Sequence, residues 1–80
     1  MKRNLDLIRE LVLYVEQDNS WPEDIQNIEI KGYSEKEITY NLFLMWEAEL
    51  IEAIDCSTHA GPHIAVLRLT WAGHEFAAKR

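Results

Sequence analysis

Two short apolar runs around a glycine-proline loop constrain the fold of this chain more than any other feature. Residues 50–54 and Ile64–Leu69 are rich in branched apolar side chains, and the loop between them contains Gly61-Pro62. Such runs around a turn-forming loop are typical of an antiparallel β-hairpin. The sequence therefore predicts a two-stranded hairpin in the second half of the chain.

Two helices are predicted before this hairpin. Residues 5–17 place apolar side chains at helical spacing on an unusually wide face, and Asn4 precedes them as an N-terminal cap. A wide apolar face predicts that this helix contacts more than one neighbour. Ser34-Glu35-Lys36-Glu37 has the pattern of a capping box, which predicts a second helix over residues 35–48.

The remaining segments give weaker signals. Residues 28–31 alternate apolar and polar side chains before Gly32, which predicts a short strand. Trp21-Pro22 is expected to begin a turn or a single helical turn. After the hairpin, Thr70 is expected to cap a last helix over residues 71–79. The large rings are expected to fill the core, namely Trp46, Trp71 and Phe76.

Composition limits the class of protein. With 80 residues the chain is expected to form one domain over residues 1–80, and its 48% hydrophobic content argues against disorder. The apolar runs are far too short to predict a membrane span, and the N-terminal segment is amphipathic, unlike a secretion signal. The single cysteine, Cys56, fits a reducing cytoplasm. No motif predicts catalysis or a cofactor, so we expect neither.

The order of helix, short strand, helix, hairpin and helix resembles winged helix-turn-helix domains. Residues 38–51 resemble the sequence motif at which the recognition helix of those domains ends and the wing begins. Residues 69–76, beginning Leu-Thr-Trp-Ala-Gly, resemble the motif that begins their last helix. This resemblance implies an α+β, winged helix-turn-helix-like fold with three helices, a short strand and a two-stranded wing.

Three pieces of the chain more narrowly resemble a small family of uncharacterised phage and prophage proteins, namely residues 1–9, 32–38 and 69–74. The resemblance spans nearly the whole chain and implies a bacterial host cell, but it implies little about activity. Two features depart from the winged-helix pattern. The helix before the recognition helix is short or missing. Glu49 stands where glycine is usual, so either Glu49 adopts a costly left-handed backbone or the turn is rearranged.

Bulky apolar residues on the outer side of the second helix predict a protein contact. Tyr40, Phe43 and Leu44 point away from the inward stripe of a regular helix, and Tyr14 is expected to join them. Leu7 and Trp21 are candidates to extend this patch. The first hypothesis for function is therefore a protein-interaction module with an acidic rim. It binds a second copy or a host protein.

The alternative hypothesis is a sequence-specific DNA-binding regulator that reads the major groove with the second helix and the wing. Its candidate contacts are Lys31, Lys36, Thr39, Tyr40, Asn41 and Arg68. A formal net charge of -6 argues against this hypothesis, because cations on phosphates supply most non-specific affinity.

One pattern has the residue types of a zinc site. Cys56, His59 and His63 follow one another at short spacing in the predicted hairpin loop. Paired cysteines are absent, and the loop is already explained as the tip of a wing. We therefore predict no metal.

Overall fold

Three helices and one β-hairpin make up the computed structural model, which describes residues 1–79. The predicted α+β class is confirmed, and the predicted helices and hairpin strands form within one or two residues of their expected bounds. In chain order the elements are α1 (Leu5–Gln17), α2 (Glu35–Glu47), β1 (Ile51–Asp55), β2 (Ile64–Leu69) and α3 (Trp71–Ala78).

A side-chain cap begins each helix, as predicted. The Asn4 side chain accepts a hydrogen bond from the Leu7 N–H at 3.1 Å. Ser34 and Glu37 form the reciprocal capping box, with both distances 3.1 Å. The Thr70 hydroxyl accepts from the Gly73 N–H at 3.1 Å. Each cap satisfies an N–H that the helix itself leaves unpaired, which is typically worth about 1 kcal/mol.

One residue of the segment between α1 and α2 pairs with the hairpin. β1 and β2 pair antiparallel with a bulge between Glu52 and Ala53. On the far edge of β2, Ile25 and Val66 exchange two backbone hydrogen bonds of 2.7 and 2.9 Å. The segment between α1 and α2 is thereby attached to the sheet.

The predicted strand over residues 28–31 is wrong. Pairing occurs earlier, at Ile25, and Asn27 then adopts a φ of +56°, which turns the chain away from the sheet. Ile28 is buried and Ile30 half-buried, so the alternation reports which side chains face the core. Among residues 18–34 the structure contains no helix, so the helix expected before α2 is missing.

One buried cluster holds the elements together. α1 packs against α2, α3 and β2, as its wide apolar face predicts. The cluster takes five residues from α1 and three from α2, together with residues of both strands. The α1 and α2 members are Leu7, Ile8, Leu11, Val12, Val15, Ile38, Leu42 and Met45.

Two tryptophans predicted to lie in the core are exposed. Trp71 is 82% exposed and Trp46 is 36% exposed, whereas Phe76 is half-buried against the core. The exposure of Trp71 follows from α3, which turns its small residues inward. A Cβ added to Gly73 would lie 2.1 Å from the Leu50 carbonyl oxygen, so only glycine allows α3 to approach this closely. Trp71, about 200° around the helix from Gly73, therefore points to solvent.

The end of α2 is a Schellman motif. The Leu50 N–H donates to the Met45 C=O and the Glu49 N–H to the Trp46 C=O, at 2.9 and 3.0 Å. Glu49 has a φ of +62°, so of the two expected possibilities the left-handed backbone is the one observed.

Asn41 joins the starts of α1 and α2. It is 1% exposed, its Oδ1 accepts from the Asn4 N–H at 2.9 Å, and its Nδ2 donates to the Glu37 C=O at 2.8 Å. Both halves of the amide are therefore occupied inside the protein.

Replacing Asn41 by alanine is expected to lower the free energy of unfolding by about 1–3 kcal/mol, because the Asn4 N–H loses its partner. Urea denaturation followed by circular dichroism measures the change. Asn19→Ala, at an exposed position, is the matched control and is expected to change stability by less than about 0.5 kcal/mol. Unchanged stability of Asn41→Ala would contradict the linking role.

Replacing Glu49 by glycine is expected to raise the free energy of unfolding by about 0.5–1 kcal/mol. Glycine adopts positive φ without a Cβ clash. The strain that this removes from the folded state is larger than the extra conformational entropy that glycine loses on folding. The matched control is Glu47→Gly, in the regular last turn of α2, which is expected to lose about 1 kcal/mol. Thermal denaturation of both variants tests the sign, and a less stable Glu49→Gly protein would refute the prediction.

Candidate interaction surface on α2

Three aromatic residues form a stripe along the solvent side of α2. The inner side of this helix carries Ile38, Asn41, Leu42 and Met45, all buried. Because each residue turns the helix by about 100°, Tyr40 and Phe43 lie opposite that side, and Trp46 lies on the flank. Tyr40 is 39% exposed and Trp46 36% exposed. We call Tyr40, Phe43 and Trp46 the aromatic stripe.

Phe43 anchors the stripe. It is half-buried and packs against the core, and its ring centroid lies 6.2 Å from that of Trp46 with a tilt of 44° between the planes. Tilted rings at this distance attract each other through their quadrupoles. The central ring of the stripe is therefore held by the core and by Trp46.

The predicted patch is only partly assembled. Tyr40, Phe43 and Leu44 share α2, with Leu44 half-buried one turn after Tyr40. Tyr14 is 38% exposed but belongs to α1, and within residues 1–79 its ring does not pair with the α2 rings. Leu7 is fully buried, so it does not extend the patch.

Sequence reasoning missed Trp46 as a surface residue. The available signal was its spacing. Trp46 follows Phe43 by three residues and Phe43 follows Tyr40 by three, and such spacing keeps side chains on neighbouring parts of one helix face. Trp21, 63% exposed, lines a different depression with Glu16 and His74.

A depression of about 520 Å³ opens where the aromatic stripe meets the hairpin. Trp46, Ala53 and Leu67 are among the residues that line it. Three glutamates also border it, namely Glu47, Glu49 and Glu52. We call this feature the Trp46 depression. It combines an exposed ring, apolar side chains and carboxylates in one place.

Two of the six candidate DNA contacts have other roles. Asn41 is buried between α1 and α2, so its assignment to DNA is wrong. Arg68, which is half-exposed, pairs with Glu52 at 2.5 Å and donates to the Leu69 C=O at 3.0 Å, so it already has two partners within the protein. Lys31 and Thr39 line a separate groove of about 690 Å³ beside α2.

Lys36 and Tyr40, the other two candidates, remain accessible on α2. Lys36 stands between Glu35 and Glu37, which belong to the first turn of the helix. The DNA hypothesis therefore retains two lysines, Thr39 and Tyr40, with carboxylates on both sides of one lysine.

The zinc pattern does not assemble. In the described part of the chain, no three His, Cys, Asp or Glu side chains are placed to hold a metal ion. The loop has its own hydrogen bonds instead: Thr58 and Gly61 exchange two backbone bonds of 3.0 Å, and the His63 Nε2 lies 3.0 Å from the Gln26 Oε1.

Perturbed groups lie away from the aromatic stripe. Hydrogen bonds from the Ser57 hydroxyl and N–H lower the pKa of Asp55. The corresponding bonds from Ser20 lower the pKa of Asp18. Desolvation, followed by the nearby Glu10, Asp6 and Glu37, raises the pKa of Tyr33. In the two aspartates the shift reflects a local turn in which the serine follows two residues later, which is a structural role.

Comparisons with known proteins place the chain in a family. The family model described as "Hypothetical protein (DUF2513)" matches residues 2–80. An uncharacterized protein of Haemophilus influenzae is 35% identical over 79 residues, which span 99% of this chain and 67% of that relative. No solved structure matches the chain. Within residues 1–79, no helix has the length and hydropathy to cross a membrane. The predicted kinship with a family of uncharacterised proteins is confirmed, and the chain belongs to the DUF2513 family.

Proposed function

We propose that this chain is a non-enzymatic protein-interaction module that binds a protein partner through the aromatic stripe of α2. One observation carries the proposal. Tyr40 and Trp46 remain more than a third exposed beside the half-buried Phe43, although the inner side of α2 completes the core without them. Aromatic residues are enriched at the centres of protein interfaces, where they supply much of the binding energy.

The size of the stripe supports a role as the centre of a larger interface. The exposed part of Tyr40 or Trp46 amounts to roughly 55–100 Å², because an aromatic side chain buries about 150–250 Å² in all. Covering it is worth about 1.5–2.5 kcal/mol per ring at 25 cal/mol per Å². A stable interface buries about 800 Å² on each partner, so a rim around the stripe must contribute most of the area.

We also propose that the fold is a winged-helix variant without the helix that usually precedes the recognition helix. The order of elements supports this proposal, as does the single β-bridge between Ile25 and Val66, which lies at the sheet edge where a short third strand would pair. In this variant α2 takes the place of the recognition helix. A phage origin and a cytoplasmic location, which the resemblance implies, remain predictions.

DNA binding is the less favoured alternative. Asn41 lies in the interior, and Arg68 would have to exchange its ion pair with Glu52 for a phosphate contact. The net charge of -6 disfavours approach to a polyanion. The aromatic stripe also occupies the part of α2 that would face the groove, where polar side chains are expected.

Photo-cross-linking in cells that naturally express the chain tests the proposal. A benzophenone amino acid at position 40 is expected to capture a discrete protein, whereas the same probe at position 71 is not. Trp71 is a matched control because it is 82% exposed on a different helix. Capture of DNA at position 40, or equal protein capture at both positions, would contradict the proposal.

The affinity of the captured protein gives the quantitative test. The double variant Tyr40→Ser/Trp46→Ser is expected to raise its Kd at least about 100-fold, because interface aromatics typically cost about 2 kcal/mol or more each when truncated. Trp71→Ser is expected to leave Kd within about twofold. Calorimetric titration measures both, and circular dichroism confirms that the variants fold. An unchanged Kd for the double variant would refute the role of the stripe.

A further inference from the structure

We propose that the Trp46 depression binds an arginine or lysine side chain of the protein partner, so that the partner presents a basic segment to α2 and β1. This inference rests on the proposed function and adds the chemistry of the partner to it. The occupant is another protein, with an apolar residue against Tyr40 and Phe43 and a cation beside Trp46.

The charge along the chain supports a basic occupant. Between Lys36 and Arg68 the sequence contains no lysine or arginine, but it contains five carboxylates, namely Glu37, Glu47, Glu49, Glu52 and Asp55. Three of these carboxylates border the Trp46 depression. The second half of α2 and all of β1 therefore present a surface without a cation of their own.

Two of the three bordering carboxylates have no counter-ion. The third, Glu52, forms an ion pair with Arg68, the residue directly opposite it on β2. Within residues 1–79, the side chains of Glu47 and Glu49 form no ion pair or hydrogen bond. Both residues are exposed. A cation arriving from outside therefore meets two uncompensated negative charges.

The lining of the depression suits the whole length of a long cationic side chain. Arginine and lysine lay their methylene groups along apolar surface and keep the charged end at the rim. Ala53 and Leu67, both half-buried, provide apolar surface, and the exposed ring of Trp46 attracts a cation to its face. The same position brings the charged end towards the free glutamates.

A second copy of this chain fits the depression poorly. In a two-fold symmetric dimer the same surface faces itself, so Glu47 and Glu49 of one copy would approach those of the other. Each copy also carries a net charge of -6. Like charges brought together at an interface disfavour the complex, whereas a basic partner is attracted and guided by them.

The test uses the full chain with Trp46 as its only tryptophan and synthetic peptides as probes. Trp21→Phe/Trp71→Phe gives that background, since both rings are largely exposed. The probes are three amphipathic peptides of equal length that pair leucine with arginine, glutamine or glutamate. Trp46 fluorescence reports binding, and added salt is expected to weaken it because the contact is electrostatic.

We expect the arginine peptide to bind at least about tenfold more tightly than the glutamine peptide, and the glutamate peptide to bind least. Glu47→Gln/Glu49→Gln in the same background is expected to weaken the arginine peptide about tenfold and to leave the glutamine peptide unchanged. Glu16→Gln/Glu75→Gln, which changes the net charge equally at exposed positions elsewhere, is the matched control and is expected to have no effect.

The outcomes separate this inference from the proposed function. Equal binding of the arginine and glutamine peptides, or equal loss in the two glutamine double variants, overturns the cation site. If Tyr40→Ser still weakens all peptides in that case, the stripe remains an interaction surface. No binding of the arginine peptide overturns the cation site as well, and cross-linking at position 40 then decides the proposed function separately. A concentration-dependent dimer that Glu47→Gln/Glu49→Gln weakens would make a second copy the occupant of the depression and overturn the proposal.

Discussion

The corner at which α2 passes into β1 is the constraint on which the rest of the structure depends. Thr70, which caps the start of α3, is hydrogen-bonded to this corner. The Thr70 N–H donates to the Leu50 C=O at 3.0 Å, and the Thr70 hydroxyl donates to the Glu49 C=O at 2.5 Å. Gly73 lets the backbones touch at the same point. Since Trp46, Glu47 and Glu49 lie at this corner, the contacts that close the fold also place the candidate surface beside the hairpin.

Signals that act within a few residues made most of the fold predictable. A cap is a hydrogen bond between residues three apart. Asn4, Ser34 and Thr70 therefore predict where their helices start without reference to any tertiary contact. Glu49 was likewise singled out as a position with either a left-handed backbone or a rearranged turn, and its φ of +62° is left-handed. The misplaced strand over residues 28–31 shows the limit of such signals. Alternation reveals which side chains are buried, while pairing depends on which part of the chain reaches the edge of β2.

Contacts between residues far apart in the sequence determine which side chains of the candidate surface are exposed, and local patterns did not predict all of them. Helical spacing placed Tyr40 and Phe43 outside. The exposure of Tyr40 agrees, whereas Phe43 is half-buried against the core. Trp46 and Trp71 were assigned to the core because large rings usually supply buried area. For Trp71 the rule fails because Gly73 and Ala77 are the residues of its helix that are buried, and Trp46 lies on the flank of α2, outside the buried side of that helix. Asn41 was assigned to DNA because polar residues on a recognition helix often read bases. Its actual partner, Asn4, lies 37 positions away in the sequence, beyond the reach of local patterns.

The end of α2 departs from local stability in two ways that the proposed cation site explains together. Carboxylates near the carboxyl end of a helix interact unfavourably with its dipole, and the last turn of α2 contains no basic residue to offset Glu47. Glycine would be more stable than Glu49 at a φ of +62°. Two adjoining positions thus carry negative charge where charge or backbone conformation disfavours it. Departures of this kind are expected at functional sites, where binding rather than folding determines the residue. A cation from a partner, bound beside these carboxylates and the exposed ring of Trp46, would offset their unfavourable interaction with the helix dipole.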